Sequence, residues 1–341
     1  MRRLVAALGI TSSFAIAWFA FEEIPLVVLG QPTTTGKVQS ELEESFFRAL
    51  NDKSGIKFRT EYTPINKAGY RDTHQLQLLK GGKVDIASVR FAQNSQEEPS
   101  LQGIDMAGLI DNFEEASEVS AAYSGAVDKQ LRLRFGAKLL GVWTFGPMEI
   151  FCNKPVRRLQ DLRGLRVRTS SQQMSSFIVE LGAKPAVIDF SDTAAALKDG
   201  LVDCGITSKG SASYAGWPKY AKFNYPFAIQ FGFNGYAISL KKWDALTRDQ
   251  QSKLQQAFDE HVQSIWRLSK DMSDASNKSK GSESLVYRLD RALARQIMEK
   301  KILPNWEKEC KVVQPSCRID WNKRLLKIIN SWASKETHSN I

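Results

Sequence analysis

The segment Leu162–Ser208, LRGLRVRTSSQQMSSFIVELGAKPAVIDFSDTAAALKDGLVDCGITS, constrains the fold more than any other. Short extended runs alternate with helical spacing. The pattern predicts strands over 165–168, near Ala186 and over 203–207, with helices through 178–181 and over 193–198 between them. Such alternation specifies an α/β architecture. Arg168 and Thr207 fall at the C-terminal ends of two of these strands, where open α/β sheets form their ligand crevice.

The alternation runs through the rest of the chain. Pro25–Gly30 reads as a buried strand and Gln31–Gly36 as a polar loop, after which Leu42, Phe46, Phe47 and Leu50 recur at helical spacing. The orphan N–H groups at that helix start suit an oxygen-rich ligand, with Gln31 and Thr34 in reach, or Thr33–Thr35 simply cap the helix. Strands follow over 57–62 and 84–89, with a helix over 75–79 between them that Gly81 closes. The second of these delivers Arg90 to its end, facing either the crevice or a surface ion pair. A helix over 114–132 returns to a strand over 138–144, a doubly wound pattern with a parallel sheet.

Gly146 and Pro147 break that pattern. Strands follow over 148–153 and 231–240, and Tyr214–Trp217 reads as a loop or short helix. The chain runs one βα set, crosses near Gly146, runs a second set and crosses back near Gly232. Thr247 and Gln250 then form a capping box ahead of Leu254, Phe258, Val262 and Trp266. A helix of that length reaches across more than one lobe. Helices around 293–300 and 321–332 precede a polar end.

With 43% hydrophobic and 25% charged residues, the 341-residue chain has the makeup of a folded globular protein. Its formal charge of +10 is spread over predicted helices without a nucleic-acid signature, which reads as a solvated basic surface. Arg2 and Arg3 precede the uncharged run Leu4–Ala17, and Ala15-Ile16-Ala17 offers a cleavage site. These are the marks of an export signal. The apolar run continues through Phe21, so an uncleaved anchor is the alternative. Both place the body of the protein outside the cytoplasm. Four cysteines fit an oxidising compartment. Cys310 and Cys317, flanking the turn-forming Pro315, are a candidate disulfide, which would leave Cys152 with Cys204; spacing alone permits other connectivities.

Catalytic and metal motifs are missing. There are three histidines, His74, His261 and His338, and no nucleophile elbow, zinc motif or dinucleotide fingerprint accompanies them. Asp85 and Asp203 sit in similar Gly-x-Val-Asp turns, which suit equivalent corners of two similar lobes. Binding has better support. Arg168 supplies a planar fork able to hold a carboxylate, with Ser170 and Ser171 at the following helix start. Its competing role is a structural salt bridge.

Pro155-Val-Arg-Arg-Leu-Gln-Asp-Leu-Arg-Gly-Leu-Arg-Val-Arg168, Leu181-Gly-Ala-Lys-Pro185, Ala195–Asp203 and Trp243-Asp-Ala-Leu246 together resemble the solute-binding subunits of tripartite ATP-independent periplasmic (TRAP) transporters, of the dicarboxylate-receptor-like family. The resemblance covers roughly 24–332. It implies a two-lobed periplasmic-binding-protein fold with hinge-crossing strands and one long lobe-spanning helix. It implies a cleft that closes on an organic acid, no enzyme activity and no cofactor, and delivery to a membrane permease. Arg168 matches the arginine that pairs with the ligand carboxylate, Phe190 a pocket-lining position, and Thr207 a polar ligand contact. The chain departs from the family where Met148, followed by Glu149, replaces a second arginine, and where Cys204 replaces a glycine. One arginine beside a methionine suggests a monocarboxylate with an apolar body.

The resulting expectation is a monomeric periplasmic receptor. Residues 1–20 form the signal, 21–145 with 232–270 one lobe, 146–231 with 271–333 the other, and 334–341 a flexible tail. Arg168, Arg90, Gln31, Thr34, Ser170, Thr207 and Glu149 supply polar contacts, and Phe190, Met148 and Trp217 enclose the apolar part. No metal site is expected. A ligand-sensing subunit and an α/β enzyme are the alternative functions.

Overall fold

A computed structural model describes residues 23–34, 36–276 and 285–338; the expected export signal at 1–20 lies outside the described residues. The chain opens with β1 (Ile24–Gly30), α1 (Lys37–Arg48), α2 (Leu50–Ser54), β2 (Phe58–Pro64), α3 (Gln75–Lys80) and β3 (Ile86–Arg90). It continues through α4 (Phe91–Asn94), α5 (Phe113–Phe135), β4 (Ala137–Thr144), β5 (Met148–Cys152), β6 (Arg166–Thr169), α6 (Gln172–Glu180) and β7 (Lys184–Val187). Then come α7 (Phe190–Lys198), β8 (Cys204–Ser208), α8 (Lys209–Tyr214), β9 (Phe223–Gln230), β10 (Phe233–Ser239) and α9 (Leu240–Ala245). Four helices end it: α10 (Arg248–Ser276), α11 (Leu285–Ile297), α12 (Leu303–Val313) and α13 (Cys317–His338).

Local chemistry sets many of these boundaries. The Asn112, Ser171 and Ser208 side chains accept from the N–H three residues on and so start α5, α6 and α8. Gly136, at φ 57°, ends α5 in the left-handed conformation that costs glycine least. Thr247 and Gln250 exchange backbone-to-side-chain hydrogen bonds of 2.9 and 3.2 Å, forming the capping box ahead of α10.

The strands form two five-stranded sheets, ordered β2-β1-β3-β10-β4 and β7-β6-β8-β5-β9. Each contains a parallel trio, β2-β1-β3 or β7-β6-β8, followed by an antiparallel strand. The sheets are therefore mixed, not wholly parallel, because each takes in a strand that arrives by crossing between them. The two Gly-x-Val-Asp turns do equivalent work. Asp85 accepts from the Val27 N–H at 2.9 Å, and Asp203 from the Arg166 N–H at 2.9 Å, each pinning the first strand of its trio. A fork from Arg166 to Asp203 also holds that carboxyl down to about pKa 2.

Helix α10 is one unbroken element across position 270, where the sequence reading divided the lobes. Its buried stripe, Leu254, Phe258 and Ile265, packs in the core beneath the first sheet, and its far end meets α8. The C-terminal helices also differ from expectation, since they do not belong to the second unit alone. Trp306, Trp321 and Trp332 donate their indole N–H groups to the Pro99 and Gly103 carbonyls and the Glu118 carboxylate. Asp290 of α11 instead accepts from the Leu159 N–H and Tyr225 hydroxyl near the second sheet. The expected tail is helical through His338.

Cys152 and Cys204, directly opposed on β5 and β8, form the disulfide. Cys310 and Cys317 are free and buried, correcting the expected pairing. They stand at the end of α12 and the start of α13 with their thiols in hydrogen-bond contact, and burial pushes both thiol pKa values up.

Candidate functional site

The cleft lies where the chain changes sheets. β4 passes to β5 through 145–147, and β9 passes to β10 through Phe231 and Gly232. The crossings are tied together: the Thr144 hydroxyl donates to the Phe231 carbonyl and accepts from the Gly146 N–H at 2.9 Å. Gly232 has φ 64°, and a Cβ there would meet the Met148 side chain. Asp105 fixes this crossing from outside both sheets. Its carboxylate accepts from the Phe231, Gly232 and Phe233 N–H groups at 2.7, 2.8 and 3.3 Å. Burial still pushes its pKa up to about 6, against the pull of those three donors.

Between the sheets is a space of about 550 Å³, part of it open to solvent. Arg90, Met148, Arg168, Ser170, Phe190 and Thr207 line it, all from the set the sequence singled out. Arg168 stands at the centre and is 4% exposed. Its Nε donates to the Ile188 carbonyl at 2.9 Å and its Nη1 to the Ile206 carbonyl at 3.1 Å. Its guanidinium lies over the Phe190 ring at 5.7 Å and the Trp217 ring at 5.9 Å. Among the described residues no carboxylate is within ion-pair distance of it, so the structural salt bridge is absent there. Burial first, and then the neighbouring Arg90 charge, pushes the Arg168 pKa down to about 10. The guanidinium stays cationic at neutral pH, held by neutral carbonyls in a site that favours an incoming anion.

The other expected site residues stand elsewhere. Glu149 is adjacent to Met148 on β5 and so points to the opposite face. It meets Asn224 at 3.0 Å and Lys209 at 3.7 Å beneath α10, and burial raises its pKa. Gln31 is buried but turned inward, its N–H donated to Glu43 at 2.8 Å. Thr34 is exposed and does not line the cleft. Gly36, which has no side chain, is the N-cap of α1, and among the described residues no side chain caps that helix. Trp217 is fully buried behind the cleft, stacked on Phe190 at 5.4 Å. It supports the wall and does not form it.

Sequence reasoning missed Gln93, Asp105, Gln230 and Asn234, polar residues that also line the space. Asp105 and Gln93 lie outside regular strands, and Gln230 and Asn234 flank a crossing no periodicity marks. The one signal was Gly232 between aromatic residues, which pointed to close backbone approach.

The family model for bacterial extracellular solute-binding protein, family 7, matches residues 29–309. The chain is 28% identical over 276 residues to the C4-dicarboxylate-binding periplasmic protein DctP of Rhodobacter capsulatus, covering 76% of this chain and 79% of that one. Among solved structures, a TRAP periplasmic solute binding protein from Desulfovibrio salexigens with bound orotic acid aligns at TM-score 0.75 and 14% identity, covering 90% of this chain and 100% of that one. An extracytoplasmic solute receptor from Bordetella pertussis binding pyroglutamic acid aligns at TM-score 0.70 and 18% identity, covering 88% and 99%.

Proposed function

Because the chain belongs to bacterial extracellular solute-binding protein family 7, we propose that it captures a small organic acid in the cleft between its two sheets and delivers it to a TRAP-type membrane permease. The observation that carries this reading is Arg168, a buried guanidinium held by two backbone carbonyls and bordering the cleft. Such a group binds an anion strongly because water competes poorly for it and its geometry is already set. The similar proteins named above bind a C4-dicarboxylate, orotic acid and pyroglutamic acid, all acids.

In this reading the two sheets with their helices are lobes that close about the crossings near Gly146 and Gly232. Phe190 and Met148 cover the apolar part of the ligand, while Thr207 and Ser170 supply further hydrogen bonds. The basic apolar segment at residues 2–21 supports export to the periplasm, as does the disulfide. The test is to purify the protein without denaturation, release what it carries and identify it by mass spectrometry. A small carboxylic acid is expected; a neutral sugar or an amine in its place overturns the reading.

A further inference from the structure

Arg90 and Arg168 are the cations among the described residues that line the cleft, and they are not equivalent. Arg168 has carbonyl partners only. Arg90 Nη1 is paired with Asp72 at 2.6 Å, with the two side chains 13% and 26% exposed. The Arg90 Nε is buried and has no hydrogen-bond partner among the described residues.

The Arg90–Asp72 pair is built in, not a casual surface contact. Gln75, fully buried, accepts from the Arg90 N–H at 2.8 Å and donates to the Ser88 carbonyl at 2.5 Å. Asn94, also buried, donates to the Asp72 carbonyl at 2.9 Å and to the Gln75 side chain at 3.0 Å. These two side chains fix the turn bearing Asp72 against the strand end bearing Arg90. Asp105 is the carboxylate that lines the cleft itself among the described residues, its oxygens taken up by hinge N–H groups. Asp189, which Arg168 feels at a distance, is exposed and screened by water.

We propose that Asp72 determines ligand selectivity: it cancels the charge of Arg90, so the cleft takes one carboxylate at Arg168 and offers the Arg90 Nε to a neutral oxygen on the same ligand. This rests on the reading of the cleft as an acid-binding site. The ligand class is then a small monocarboxylate with a hydroxyl, keto or amide oxygen. A second carboxylate entering near Arg90 meets a cation already neutralised by Asp72 and a wall carrying Asp105, so it exchanges its hydration for repulsion. An acid lacking the neutral oxygen leaves a buried donor unpaired.

Calorimetric titration of ligand-free protein with propionate, lactate, pyroglutamate, succinate and malate tests this. Lactate or pyroglutamate is expected to bind about tenfold or more tightly than propionate, succinate and malate. Asp72→Asn removes the neutralising charge and is expected to improve malate relative to lactate by about tenfold or more. Asp72→Glu is expected to keep the original order, and Asp72→Asn combined with Arg90→Gln to lose the gain. An unaltered protein that prefers malate or succinate leaves the acid-receptor reading intact and overturns this one. An Asp72→Asn variant with an unchanged malate-to-lactate ratio does the same. Should that variant fail to fold, the order of affinities in the unaltered protein decides. Binding of none of the acids overturns this reading, whereas the acid-receptor reading falls only if the molecule released from natively purified protein carries no acidic group.

Discussion

Replacing Arg168 by lysine keeps a positive charge at the centre of the cleft and removes the fork. The guanidinium spends its Nε and Nη1 on the Ile188 and Ile206 carbonyls, at 2.9 and 3.1 Å, and leaves the rest of its planar edge for a ligand. An ammonium group carries its three donors on one atom and cannot reach two carbonyls on separate segments, one just past β7 and one on β8, while facing a carboxylate in a plane. It also loses much of the stacking on Phe190 and Trp217. Losing one bond of a charge-assisted bidentate contact, with poorer positioning, costs about 2–4 kcal/mol, or roughly 30- to 1000-fold in affinity. Calorimetric titration with the acid the protein carries measures this directly, with denaturant unfolding of both proteins to show that the variant is folded. Arg168→Ala serves as the lower limit and is expected to abolish binding. A lysine variant that is folded and binds within about threefold of the unaltered protein would refute the reasoning, since charge alone would then suffice.

Two other outcomes follow from the structure. The raised pKa of Asp105, about 6, means that the folded state holds its proton more tightly than the unfolded chain. Its stabilising contribution is therefore full below about pH 4 and is lost as pH rises through 6, by about 3 kcal/mol in all. Asp105→Asn lacks this titration. Denaturant unfolding at pH 4 and pH 7 is expected to show the variant gaining about that much relative to the unaltered protein, and a pH-independent difference would refute it. The Cys152–Cys204 disulfide, 52 residues apart in sequence, sits four residues along β5 from the Met148 end that borders the cleft. Replacing both cysteines by alanine is expected to lower stability by about 4 kcal/mol while leaving acid affinity nearly unchanged. An equal loss of affinity would tie the disulfide to cleft geometry.

Much of the frame was legible because local chemistry wrote it. Gly-x-Val-Asp occurs twice, and each time the carboxylate accepts a backbone N–H of the first strand of its parallel trio. The capping box ahead of α10 and the glycines at the two crossings were equally local signals. Arg168 was placed at a strand end by periodicity, and there it borders the cleft.

The failures have long-range causes. β9, FNYPFAIQ, carries a proline and lies at the edge of its sheet, where a missing N–H donor is tolerated, so its pattern does not read as a strand. The direction of β10 depends on a crossing between sheets that no window of sequence contains. The sequence places Gln31 at a helix start as a ligand contact, but Glu43, 12 residues further on and inside α1, takes its N–H. Glu149 was on the wrong face by one residue, which in a strand is the whole difference between cleft and helix-facing side. Asp105 comes from a loop and matters only because the chain between β9 and β10 folds over it.

A small acid held at Arg168 is the central claim. The most direct measurement is mass spectrometry of the small molecules released from natively purified protein, run in parallel on the unaltered chain and on Arg168→Ala. One carboxylic acid present in stoichiometric amount in the first and absent from the second is the predicted result. The same molecule retained at full occupancy by the folded alanine variant, or a bound molecule without any acidic group, would contradict it.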